Sequence, residues 1–313
     1  MDISSNSLSK IRLMISQIDK LLLSDFPHKS SRNALEALRS FFADRNDEII
    51  KHAHLDPRIV KSLCENVNIR ISDLLPILGF ILRSTNVRNN FESYDALKEI
   101  ARKLIARDTQ VILSSEWDYS PLTIPMTVPE LPNFVLLGMP SSESGNALLL
   151  PLTGHEIGHS VWFHQEGLSR VESKFRKLIE DEIIAFMDKH WKKFKEHYPD
   201  SVIKSTSEIH TARDFAVYGF IDDAAYFAIS QIEEIFCDAI GLRLFGKGFL
   251  YSFHYLLAPK FSEIRSLLYP RISFRAECIA SALETKMNHK ALPNFSSEFT
   301  DHQPSLTPRD GFI

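Results

Sequence analysis

Gly154-His155-Glu156-Ile157-Gly158-His159 sets two histidines four residues apart, with a glutamate directly after the first. Pro151 disfavours helix in the residue before it and can itself open one, so a helix starting at Pro151 or Thr153 is expected to carry this stretch. Residues four apart on a helix stand one turn above each other on the same face. Both imidazoles then reach a single ion at the ~2.0–2.1 Å of a zinc–nitrogen bond. Glu156 flanks that face, where it can take the proton of a metal-activated water instead of binding the metal itself. Gly158 inside the helix costs about 1 kcal/mol against alanine, so a close backbone approach is expected there.

Two histidines need a third ligand to make a centre. It is expected in Glu233-Glu234-Ile235-Phe236-Cys237-Asp238, where acidic residues interrupt an otherwise apolar helix at 222–245. Glu234 and Asp238 are four apart and face the same way. Glu234 can fill the metal's third position while Asp238 orients a ligand histidine through its ring N–H. Glu233 points about a quarter-turn away and is read as a solvated carboxylate or one standing behind a ligand. His164, five beyond His159, projects to a different face and is read as a non-ligand.

The set His155, Glu156, His159, Glu234 and Asp238 resembles the zinc metallopeptidases of the gluzincin type, which join a His-Glu-x-x-His helix to a downstream helix bearing Glu-x-x-x-Asp. The metzincin extension is missing, since Ser160-Val161-Trp162-Phe163-His164 follows His159. A looser resemblance is to peptidases similar to the prenyl-protein endopeptidases. There the acidic helix is followed by His-Pro and, five residues after the proline, an arginine; this chain has Tyr269-Pro270 and Arg275. The tyrosine hydroxyl would stand in for the imidazole as an oxyanion donor. The likeness covers residues 133–245 and, loosely, extends to 287.

The resemblance implies a zincin-like core holding one zinc per chain through His155, His159 and Glu234, with Glu156 as general base and Tyr269 and Arg275 as further catalytic candidates. It implies hydrolysis of a peptide or protein held as an added strand against a sheet edge, for which 133–139 or 146–148 are the candidates. Two other readings stand beside it. One is a protein-interaction or regulatory module with a structural or latent zinc site; the other is a zinc hydrolase acting on a non-peptide amide.

Outward from these motifs, the 313 residues are 44% hydrophobic and 24% charged, the make-up of a folded chain with a sizeable core. The net charge of -4 gives no overall field that would draw it to nucleic acid. No membrane span and no signal peptide are expected, and Cys64, Cys237 and Cys278 suit reduced thiols, so a cytoplasmic chain is anticipated. The fold class expected is mainly α with a small β-sheet. Residues 1–110 read as a helical region, with helices near 7–22, 35–42, 58–67, 71–82 and 94–107. Residues 111–291 read as the metallopeptidase domain, with its best strand at 133–139, a second extended run at 146–150, and a charged helix at 170–197 whose lysine-rich end is a solvated face. Helices are expected again at 249–257 and 272–287. Residues 292–313 read as a loose polar tail. The N-terminal helices are where a regulatory partner would act.

Overall fold

The computed structural model describes residues 3–85, 91–116, 122–123, 128–143, 145–164, 166–209, 214–257, 264–287, 295, 299 and 303–304. The chain is mainly helical with a small sheet, and it divides into two compact units, Met1–Asn146 and Ala147–Ile313. The strands at 110–140, expected with the metallopeptidase domain, therefore fall in the first unit and not beyond a boundary at 110.

In the first unit, α1 (Ile3–Leu21), α2 (Lys29–His52) and α3 (Pro57–Arg83) pack together. Each buries one stripe, represented by Ile11 and Ile18, by Leu35, Leu38 and Phe42, and by Cys64, Phe80 and Ile81. Asp56 caps α3 by accepting from the Arg58 N–H, and Pro57 occupies the first turn. The two helices expected at 58–67 and 71–82 are one helix running through Pro76. Its buried stripe runs from Val67 through the partly buried Ile71 and Leu74 to Ile77, Leu78 and Ile81, so packing holds the helix across the proline.

After α4 (Tyr94–Leu104) come β1 (Gln110–Glu116), β2 (Leu122–Thr123) and β3 (Phe134–Pro140), arranged β1-β3-β2. β1 and β3 are parallel, with Gln110 opposite Phe134 and Glu116 opposite Pro140. Both are buried along nearly their whole length, which explains their continuous Val-Ile-Leu and Val-Leu-Leu runs. β2 pairs antiparallel with the other side of β3. The strand expected as a free edge for substrate is thus the centre of its sheet.

In the second unit, Ala147–Leu152 is a 3-10 helix, correcting the extended run expected at 146–150 and removing the other candidate edge. It leads into α5 (Thr153–His164), which carries both histidines. The charged helix expected at 170–197 is two helices, α6 (Glu166–Lys189) and α7 (Trp191–His197), broken at His190. Met187, Phe194, Ile203, Val217 and Phe220 form a local core beneath that break.

α8 (Phe215–Phe245) is capped by Asp214, whose carboxylate accepts from the N–H groups of Ala216 and Val217 and also from the Ser201 hydroxyl and the Val202 N–H. It ends at Gly246, whose φ of 55° suits a residue without a Cβ, and the chain turns into α9 (Lys247–Leu257). β4 (Ile264–Arg265) and α10 (Ile272–Met287) follow. The tail is not uniformly loose. Phe295 and Phe299 are buried against Phe253 of α9, and β5 (Gln303–Pro304) pairs in parallel with β4. Among the described residues no helix is long and apolar enough to cross a membrane.

Candidate metal centre

α5 and α8 approach each other unusually closely, and glycines permit it. A Cβ placed on Gly158 would sit 2.9 Å from Cys237 Cα, and one on Gly154 would sit 3.0 Å from Gly241 Cα. These pairs are four residues apart on both helices, so the contact runs along a full turn. The residues next to the glycines, His155 and His159, are thereby carried against the acidic turn of α8. The close approach expected at Gly158 is what the structure shows. Gly158→Ala should therefore destabilise the fold by about 1–3 kcal/mol through overpacking, outweighing the ~1 kcal/mol of helix propensity it gains. Zinc affinity should fall at least ~10-fold as the histidines move off α8. Thermal melts and a zinc titration read both effects; a variant that melts higher than the parent would contradict the steric account.

Each imidazole is fixed through Nδ1. That of His155 lies 2.9 Å from Asp238 Oδ1, and that of His159 lies 2.6 Å from Glu233 Oε1. With Nδ1–H donating to a carboxylate, Nε2 keeps its lone pair for a metal. Both Nε2 atoms turn to Glu234, the first 3.4 Å from Oε2 and the second 3.5 Å from Oε1. A zinc ion bound at about 2.0–2.1 Å would separate neighbouring donors by about 3.3–3.4 Å, close to the spacing of each imidazole from one Glu234 oxygen. Glu234 Oε2 is also buried without a hydrogen bond of acceptable geometry, although Arg275 Nη1 lies 3.1 Å away. That oxygen is free to take a cation, and the donors His155, His159 and Glu234 are of the kinds that zinc accepts.

Glu233, expected as a solvated carboxylate or one behind a ligand, takes the second place: it does for His159 what Asp238 does for His155. Its signal in the sequence was that each histidine needs an acceptor, and residues 233 and 238 bracket the ligand. His164 Nδ1 donates to the Ser160 carbonyl 2.8 Å away, within its own helix. Arg275, expected as a catalytic donor, is buried and faces carboxylates with all three nitrogens. Nε and Nη2 bond the two oxygens of Asp238 at 2.8 and 2.7 Å, and Nη1 faces Glu234. It organises the acids that hold the histidines. Tyr269 is 48% exposed, on a segment tied to α8 by a bond from the Gln231 amide to the Leu267 carbonyl.

The charges are unbalanced. With all four ionised, Glu156, Glu233, Glu234 and Asp238 outnumber the Arg275 guanidinium by three charges, a deficit that a dication would cut to one and a proton on His155 to two. Burial disfavours a charged His155, but bonds to Asp238 and Glu234 outweigh it and raise its pKa to about 10. Burial also works against the ionised forms of Glu234 and Asp238. His155 and Arg275 hold the first below the usual carboxylate range, and Arg275, then His155, do so for the second. Burial pushes Glu156 up, against the pull of the two histidines. Tyr269 is raised by burial and then by the Glu234 and Glu156 charges, which places it within electrostatic reach of the centre.

Cys237, expected only as a reduced thiol, also stands at this centre. Donor atoms of His155, His159 and Cys237 all lie within 4.8 Å of one another. Glu234 and Cys237 are thus both candidates for a third position, Glu234 with each oxygen 3.4–3.5 Å from one histidine nitrogen.

The chain matches no protein-family model, no curated protein and no solved structure.

Proposed function

We propose that the chain is a zinc-dependent metallopeptidase with a zincin-like core of the gluzincin type, working in a reducing, cytoplasmic setting where its cysteines stay thiols. The observation that carries this reading is that His155 Nε2 and His159 Nε2 each lie 3.4–3.5 Å from a Glu234 oxygen, with the Glu156 charge felt by all three. His155, His159 and Glu234 would hold the metal. When bound, zinc polarises the scissile carbonyl and acidifies a water.

The chain's own residues supply the rest. Asp238 and Glu233 hold the two imidazoles in one tautomer, and Arg275 holds Asp238. Glu156 is a carboxylate whose pKa is moved up by burial, towards the range where a base works well near neutrality. It takes a proton from the attacking water and returns it to the departing amine. The Tyr269 hydroxyl is the donor for the developing oxyanion. An intact Glu156 also favours an enzyme over a structural zinc site, which needs ligands but no base.

The test is elemental analysis of the parent, Glu234→Ala and His155→Ala, followed by exposure of the parent to a mixed peptide library. About one zinc per chain, lost from both variants, with cleavage of peptides, is the expected result. Zinc without peptide cleavage would move the assignment to a binding module or to a non-peptide amide. No zinc in the parent would remove the reading altogether.

A further inference from the structure

We propose that Cys237 is a second, alternative donor at this centre, so that a soft thiophilic cation such as Cd²⁺ is held by His155, His159 and Cys237 where zinc is held by His155, His159 and Glu234. The inference rests on the reading of the two histidines as metal ligands and goes beyond it in ligand and ion.

Cys237 lies on α8 between Glu234 and Asp238 and packs against Gly158, the residue directly before His159 on α5. Its Sγ would be 3.1 Å from a Cβ at that glycine. It is a free, buried thiol, and its sulfur and the two histidine nitrogens fall within 4.8 Å of one another. Even at zinc's bond lengths of about 2.3 Å to sulfur and 2.0–2.1 Å to nitrogen, tetrahedral coordination asks for about 3.5–3.6 Å, so the shift required is at most about 1.3 Å, and less for the larger cadmium ion. Rotation about the Cys237 Cα–Cβ bond is the movement available for it.

The exchange is possible because Glu234 has another partner. Its Oε2 stands 3.1 Å from Arg275 Nη1 without a proper hydrogen bond, and a small turn of the carboxylate completes that pair. Zinc takes either donor and stays with Glu234, whose oxygens already lie 3.4–3.5 Å from the histidine nitrogens, closer than the thiol's bound of 4.8 Å. A soft ion prefers sulfur and releases Glu234 to Arg275. As the sulfur–metal bond forms, the thiol proton leaves to solvent; nothing is oxidised or reduced. The other thiols do not share this geometry, since Cys64 lies in the core of the first unit and Cys278 on α10 is outside the three-residue group.

The test is a titration of the full chain with Cd²⁺ and, separately, Zn²⁺, followed by ultraviolet absorption and equilibrium dialysis. The parent should show a sulfur-to-cadmium charge-transfer band that saturates at one ion per chain. Cys278→Ser should keep the band, whereas Cys237→Ser and Cys237→Ala should lose it, with the preference for cadmium over zinc falling at least ~10-fold. Glu234→Ala should lose zinc yet retain cadmium with the band. Zinc and cadmium both bound by the parent with no such band, or a band that survives both Cys237 variants, would overturn this proposal alone. Failure of the parent to bind either ion would overturn the metal centre itself and this proposal with it.

Discussion

Replacing Glu156 by glutamine is expected to leave zinc in place and to slow peptide hydrolysis by about a hundred- to ten-thousand-fold, the usual worth of a positioned general base. At 1.36 kcal/mol per decade that is about 3–5 kcal/mol of lost transition-state stabilisation. The separation of binding from chemistry follows from the wiring. His155 is oriented by Asp238, His159 by Glu233, and the third donor is Glu234, so Glu156 holds none of the groups that would hold the ion. Glutamine keeps the size and removes only the ability to accept and return a proton. Zinc content by elemental analysis and turnover on a cleaved peptide give the two readouts. Turnover like the parent's would remove Glu156 from the proton path, and loss of zinc would show that it helps to hold the metal.

The parts of this centre that were legible in the sequence are those set by position within one helix. His155 and His159 share a face because they are four apart, and Glu234 and Asp238 for the same reason; Gly158 in a helix interior signalled a neighbour that had to come close. What the sequence left open depended on pairing between distant segments. Glu233 is a quarter-turn off the ligand face of α8, and only the angle at which α5 crosses it brings His159 Nδ1 within 2.6 Å. The strand at 134–140 is apolar and unbroken, which identifies a buried strand but not its neighbours, and its place between β1 and β2 removes it as an edge. Phe295 and Phe299 sit in a polar, proline-spaced tail whose composition masks two anchors against α9. Arg275 had a position and no partner until Asp238, on a different helix, lay beside it.

Arg275 is where these points meet in the second large effect. Arg275→Met keeps most of the stem but leaves Asp238 and Glu234, 2% and 7% exposed, without their cation. Removing one partner of a buried ion pair costs about 3–5 kcal/mol, and His155, which faces both carboxylates, offsets part of that loss when it is protonated. Lost contact with the Phe253 ring, whose centroid is 5.3 Å from the guanidinium carbon, adds to this. In chelator, the variant should therefore unfold at markedly lower denaturant than the parent. Zinc should narrow the gap, since a dication beside Glu234 and His155 supplies some of the positive charge that the guanidinium provided. A donor whose sole task was the oxyanion would behave differently: its loss would cut turnover and leave unfolding in chelator unchanged. Unfolding curves with and without zinc separate the two. An equal deficit in both conditions would mean that Arg275 matters for packing alone, whereas a deficit that shrinks with zinc ties it to the charge balance of the histidine–carboxylate cluster.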